Sequence, residues 1–248
     1  MGVETTPALV LAVQDWSSTS QIVRLLTEVH GNISVLARGS RRMSADFRFG
    51  PLDVLQWGEA AVVRQKRGFQ LAGFAARTAF PQLARSATRL ALALELAEVL
   101  HEGTPAAPQP GVLQLALESL AALESAPEET VQEVALRFQL RWLVLSGRQP
   151  VLDRCVLCDR SAPGRSPVRI DPWRGGVVCR ACLRHPAPRI TTLSVAAQGA
   201  LRELIEAPAG TVRIPAAAEP VIARLLDLMV AFALDRPPRH PALDSVRA

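Results

Sequence analysis

Cys155-Val-Leu-Cys158 is answered by Cys179-Arg-Ala-Cys182, and the chain holds no other cysteine. Two cysteines with two residues between them can turn both sulfurs to one side of a tight turn. Two such turns, facing each other, supply the four ligands of a tetrahedral Zn²⁺ site with Zn–S of about 2.3 Å. The spacing between the pairs sits at the edge of the zinc-module range. Four thiolates close the coordination sphere, whereas a catalytic zinc keeps a position open for water, so a metal here is structural. Two disulfides, a redox CxxC or an iron–sulfur cluster are the competing readings. The chain starts without a basic stretch followed by an apolar one, so no secretory signal and a cytoplasmic, reducing location are expected. Disulfides are rare there, which favours zinc.

Helical patterning lies on both sides of this segment. Leu83, Ala87, Leu90, Leu94 and Ala97 recur at helical spacing, with Gly103 at the end. PAAPQPG (105–111) is a linker, and VLQLALESLAALESA is a second helix. PEETVQEVALRFQLRWLVLSG is a third, opened by Pro and Glu and closed by Gly147. Two more, LSVAAQGALRELIEAP and EPVIARLLDLMVAFALDRP, follow the cysteines. The module therefore reads as inserted into a helical bundle.

The first eighty residues read differently. PALVLAVQDW, QIVRLLTEVHG, NISVLARGS, VLQWGEAAVVRQKRG and FQLAGFAAR are short apolar segments punctuated by glycines. Five short strands with glycine turns predict a small barrel or sandwich. A short helix is the alternative for QIVRLLTEV. The expected class is an α+β multidomain protein with boundaries at 1–80, 81–150, 151–189 and 190–248.

The 248 residues carry a net charge of +5, unevenly spread. Seven basic residues face three acidic ones from Leu36 to Arg67, and eight arginines face two aspartates from Arg154 to Arg189. Between Arg89 and Arg137 there are eight glutamates and no Lys or Arg. Two basic segments favour an anionic partner. Lys66 is the only lysine, as the composition of a GC-rich genome would give. No apolar run reaches membrane-spanning length. No phosphate-binding glycine loop, dinucleotide fingerprint or HExxH is present. His30, His101, His185 and His240 are scattered. Trp16, Trp57, Trp142 and Trp173 are expected to fill cores. Nothing in these patterns points to an enzyme.

HGNISVLARGSRRMSADFRFGPLDVL (30–55) runs from a strand into a loop with Arg38, Arg41 and Arg42. Gly39, Ser40 and Ser44 between them would let the backbone approach an anion, and guanidinium forks fit phosphate oxygens. A solvated turn is the plain alternative. This run resembles the N-terminal domain of the RecO family of bacterial recombination mediators, through Gly31, Ile33, Ala37, Arg38, Gly39, Ser40, Arg41, Arg42 and Ser44. Leu136, Arg137, Phe138, Leu140, Leu143, Gly147, Pro150, Leu152, Cys155 and Cys158 match a second family run. There Gln139 stands for the usual acid and Ser146 for the usual Leu.

The resemblance implies an N-terminal OB-fold, a helical domain and a zinc module. It implies binding of single- and double-stranded DNA and annealing of complementary strands. It also implies help, with RecR, in loading RecA onto DNA coated by single-strand binding protein (SSB). The residues expected to touch phosphates are Arg38, Arg41 and Arg42, with Arg64, Lys66 and Arg67 extending the stripe if their strand lies beside the loop. Arg137 and Arg141, four apart on one helix face with Leu140 and Leu145 nearby, would meet the acidic, apolar-ended SSB tail. Arg154, Arg160, Arg174, Arg180 and Arg184 would offset the roughly −2 charge of a zinc tetrathiolate. The other reading of the arginine-rich module, including Arg165 and Arg169, is a second DNA or partner face. A zinc-ribbon adaptor, or a transcription or translation factor without annealing activity, is the alternative function.

Overall fold

Alternation of inward and outward side chains decides the first elements. In Gln21–Thr27, residues Gln21, Val23 and Leu25 are buried while Ile22 and Arg24 between them are only partly so. That period of two, with β-branched Ile22 and Val23, makes a strand rather than the alternative helix. The computed structural model describes residues 2–41, 49–66, 68–77, 80–164, 166–183, 189–206 and 213–237. The chain divides into two compact units, Met1–Val131 and Gln132–Ala248.

In the first unit, β1 (Val3–Asp15), β2 (Gln21–Thr27), β3 (Gly31–Ala37), β4 (Trp57–Arg64) and β5 (Phe69–Ala76) close a barrel in the order β1-β2-β3-β5-β4. Strand β4 seals the barrel by pairing with β1 from Val3↔Val63 to Leu9↔Trp57. The one parallel contact among these strands joins β3 to β5, at Val35↔Phe69 and Leu36↔Gln70. This is the OB-type Greek-key barrel that the sequence led one to expect. Val10, Val23, Leu25, Val35, Val62 and Phe74 fill it. Each fully buried Val or Leu contributes about 1.5–3 kcal/mol.

Gly31 explains why the barrel and the next helix pack as one unit. Its φ is +67°, and a Cβ there would meet Ala107 O at 2.1 Å and Pro105 O at 2.5 Å. The close approach lets Asn32 N donate to Pro105 O (3.0 Å) and Asn32 Nδ2 donate to His101 O (2.7 Å). Helix α1 (Ala87–Gly103) starts at Ser86, whose Oγ accepts from Arg89 N (3.3 Å). Arg89 then donates to Leu123 O and to Ala126 O (2.6 Å) at the end of α2 (Val112–Ser125). A cation is favourable at that negative end of the helix dipole.

The second unit begins with α3 (Val131–Leu145), ended by Gly147 at φ +72° as the sequence indicated. Arg148 N donates back to Leu143 O (2.7 Å). Trp142 is fully buried on this helix. The cysteine segment follows and contains β6 (Val168–Asp171) and β7 (Gly176–Val177), which with β8 (Thr191–Leu193) form a sheet ordered β7-β6-β8. Helices α4 (Val195–Glu206) and α5 (Glu219–Ala233) complete the described part. Helices thus flank the cysteine segment on both sides. No helix among the described residues is long and apolar enough to cross a membrane.

Candidate nucleic-acid interface and metal centre

The basic loop after β3 is held by a buried polar knot. Gln21 Oε1 accepts from Ser40 Oγ (2.9 Å) and from Leu52 N (3.1 Å), and Gln21 Nε2 donates to Leu52 O (3.3 Å). Ser40 and Gln21 are both buried. Gly39, at φ +69°, sends its N–H to Ser20 Oγ (3.1 Å). The chain therefore turns so that Gly39 and Ser40 face inward while Arg38 and Arg41 face solvent. The Ser40 hydroxyl is spent on Gln21, so this residue helps to hold the turn that presents the arginines.

Arg41 N donates to Thr19 O (3.2 Å), and its guanidinium pairs with Asp15. Arg41 is thereby pinned to the β1–β2 connection, whose Trp16 is 65 % exposed. The assignment of Trp16 to a core was wrong, and so was that of Trp173. A tryptophan next to acidic Asp15 and before Ser17-Ser18-Thr19-Ser20 was the available signal of a solvent-facing turn.

Arg64 ends β4, with its guanidinium 4.9 Å from the Phe69 ring centroid. Lys66 is exposed in the hairpin between β4 and β5, which Gln65 N closes onto Gly68 O (2.9 Å). Strand β5, not β4, lies beside β3. Arg64 pairs in register with Phe69, and Phe69 with Val35. Arg38 lies three residues further along the chain, about 10 Å at strand rise. The hairpin leads away in the other direction, towards His30, whose ring lies 5.0 Å from Phe69. The fold brings Arg38 and Arg41 together and sets Arg64 and Lys66 apart from them. Arg42 and Arg67 lie outside the described residues.

The four cysteines converge. One sulfur from each of Cys155, Cys158, Cys179 and Cys182 lies within 4.8 Å of the others, and none is in a disulfide. The Cys158 Sγ–Cys179 Sγ distance is 3.7 Å. A tetrahedron with Zn–S near 2.3 Å has an edge of about 3.8 Å, so the donor set fits zinc. Burial raises the Cys155 thiol, but amide hydrogen bonds from Cys179, Leu157 and Cys158, and one from the Cys158 side chain, outweigh it and bring it to about 6. Hydrogen bonds with Cys158 and Cys179 push Cys182 up to about 12. Four sulfurs this close cannot all be thiolates without a cation among them.

The arginines of the module take several roles. Arg154 Nε lies 3.3 Å from Asp159 Oδ1, both exposed. Arg189 makes a two-pronged pair with buried Asp171, Nε to Oδ1 and Nη2 to Oδ2 at 3.0 Å each. Arg174 approaches the same carboxylate at 3.5 Å. Arg160, Arg169 and Arg180 are exposed, while Arg165 and Arg184 lie outside the described residues.

On α3, Arg137 is half-buried, and burial lowers its pKa, opposed by Glu133 one turn earlier. Arg141 is exposed and reaches Ile205 O (3.4 Å) in the last turn of α4. Leu140 is fully buried, so of the two nearby leucines only Leu145, 40 % exposed, faces solvent.

Comparison with known proteins bears on both units. The family model for the recombination protein O N terminus matches residues 1–73, and that for its C terminus matches residues 84–242. The DNA repair protein RecO of Anaeromyxobacter sp. (strain Fw109-5) is 32 % identical over 204 residues, 79 % of this chain and 77 % of that one. That of Rhodopirellula baltica is 34 % identical over 206 residues, 81 % of this chain and 74 % of that one. That of Myxococcus xanthus is 33 % identical over 184 residues, 71 % and 70 % of the two chains. With matches on both sides of the boundary between α2 and α3, and with the barrel and the cysteine cluster in place, the chain belongs to the RecO family.

Proposed function

We propose that this chain is a recombination mediator in DNA repair. It binds single- and double-stranded DNA, anneals complementary strands and, with RecR, helps load RecA onto SSB-coated DNA. The observation that carries the reading is the anchored loop: Arg38 and Arg41 are turned to solvent by buried Ser40 and Gln21, beside exposed Trp16. A closed barrel of this topology is a common oligonucleotide platform. Guanidinium groups on it meet phosphates without reading sequence. Arg41 exchanges Asp15 for a phosphate oxygen, and Trp16 offers a flat face to a base. Arg42, Arg64, Lys66 and Arg67 are assigned further phosphate contacts, in two groups rather than one stripe.

Annealing makes and breaks no covalent bond, so the reading assigns no catalytic residue. It needs cationic surface to offset the repulsion of two phosphate chains. One Zn²⁺ held by Cys155, Cys158, Cys179 and Cys182 would fix the turns of the module. Arg137, with Leu145 on the same helix, is assigned to the SSB tail. Arg141 is kept in that assignment although it also caps α4. We retain the division into 1–80, 81–150, 151–189 and 190–248 as functional segments, and a cytoplasmic, nucleoid-associated location.

The test is the salt dependence of duplex binding. Each lost phosphate contact lowers the slope of log K against log [salt] by roughly 0.9. Arg38→Ala, Arg41→Ala and Arg42→Ala together should remove about two to three units of slope. A slope unchanged from wild type would reject the loop as the phosphate-binding element.

A further inference from the structure

Trp173 lies in the turn between β6 and β7, where Arg174 N donates to Asp171 O (3.1 Å). It is 52 % exposed. An indole left this open normally gains by burial, yet two neighbours pack against the ring of this one and its backbone is tied down. The Trp173 backbone N–H donates to Asp171 Oδ1 (3.1 Å), which fixes the turn that carries the ring. The Arg189 guanidinium lies 4.6 Å from its ring centroid. Phe232, in the last turn of α5 and also 52 % exposed, stacks on it at 6.0 Å with the planes 14° apart. Asp171 holds the assembly: its carboxylate is almost wholly buried and grips both the Trp173 amide and Arg189. A guanidinium and two aromatic rings are thus stacked at the surface by a buried support. One carboxylate faces two guanidiniums there, Arg189 and exposed Arg174, so the local charge is positive.

We propose that Trp173 and Phe232 form a base-stacking platform for single-stranded nucleic acid, with Arg174 and Arg189 facing its phosphates. The proposal deepens the DNA-binding reading and rests on it: it adds a site in the second unit, separate from the barrel arginines. Three features select the occupant. Parallel rings offer flat faces, which every base can extend by stacking. The surrounding segment carries eight arginines against two aspartates, which suits a polyanion. A duplex keeps its bases stacked on one another, so only a single strand can use the rings. The platform is already ordered, so binding need not immobilise these side chains.

The experiment measures affinity of the full-length, zinc-loaded chain for four ligands. They are an oligothymidylate, an abasic oligodeoxynucleotide of equal length, a duplex, and an acidic peptide ending in Phe. Trp173→Ala should weaken the oligothymidylate about 5- to 150-fold. The abasic strand and the duplex, which keep the phosphates but offer no free base, should bind as to wild type. Trp173→Phe should recover most of the loss. Phe232→Ala, placed on α5 away from the cysteines, should give the same pattern and covers the case in which Trp173→Ala does not fold. Equal losses on all three nucleic acids, or none, would overturn the platform while leaving the barrel reading intact. Loss confined to the peptide would also overturn it and make this a protein-docking face. A wild-type chain that binds none of the nucleic acids would instead sink the DNA-binding reading itself.

Discussion

Gln21→Ala tests how the arginine loop is held, because the knot around Gln21 has a countable cost. The amide satisfies three buried partners: Ser40 Oγ, Leu52 N and Leu52 O. Removing it leaves all three without this partner inside the barrel. Each unsatisfied buried group costs about 1–3 kcal/mol, so at the lower bound the loss is about 3 kcal/mol. Ser40→Ala removes only one hydrogen bond, and Gln21 Oε1 keeps Leu52 N, so its cost is about 1 kcal/mol. With a urea dependence near 2 kcal/mol per M, the barrel transition should move down by about 1.5 M and about 0.5 M respectively. Hydrogen exchange of the Leu52 amide separates barrel opening from events in the second unit. In the double variant the costs should not add, since both changes remove the same Ser40–Gln21 bond. DNA affinity should fall in both variants although every arginine remains. If Gln21→Ala unfolds at the wild-type urea concentration, or if the costs add in full, the knot does not hold the loop.

Gly31→Ala should destabilise the first unit by about 2 kcal/mol or more, since it strains a positive φ and drives a Cβ into Ala107 O and Pro105 O. Thermal melting checks it, and a melt equal to wild type would contradict the close approach. Cys179→Ser should release the metal and loosen residues 150–183 while the barrel melts unchanged; elemental analysis and proteolysis read both, and purified wild type without zinc would refute the site. His101 is held below its usual 6.5, first by burial and then by Arg24, with Glu102 opposing. The unfolded chain then takes up the proton more readily, so stability is full above about pH 6.5 and falls as pH drops through the folded value. His101→Gln should flatten the melting temperature between about pH 7 and pH 5, and an unchanged profile would remove His101 as the cause.

The barrel was legible because its strands advertise themselves. Short segments rich in Val, Leu and Ile recur with glycines at the turns, although QIVRLLTEV also allowed a helix until its buried side chains were seen to alternate. The four-cysteine cluster was legible because ligand chemistry tolerates few spacings. Three other features were not. Grouping of α1 with the barrel depends on Asn32 reaching His101 O, a contact 69 residues apart that no local pattern carries. The strands β6, β7 and β8 have four, two and three residues, too short to show a period. Trp16 and Trp173 were misplaced because residue type favours burial, and only the fold tells which indoles are left outside.

The most direct test of the central claim is the rate at which this protein anneals complementary oligonucleotides, followed over a salt series without any partner. The account predicts that wild type accelerates annealing at low salt and loses the effect steeply as salt rises. It predicts that the combined Arg38→Ala, Arg41→Ala and Arg42→Ala protein melts as wild type does but loses most of the acceleration, with a shallower salt dependence. A folded triple variant that anneals as fast as wild type across the series would contradict it.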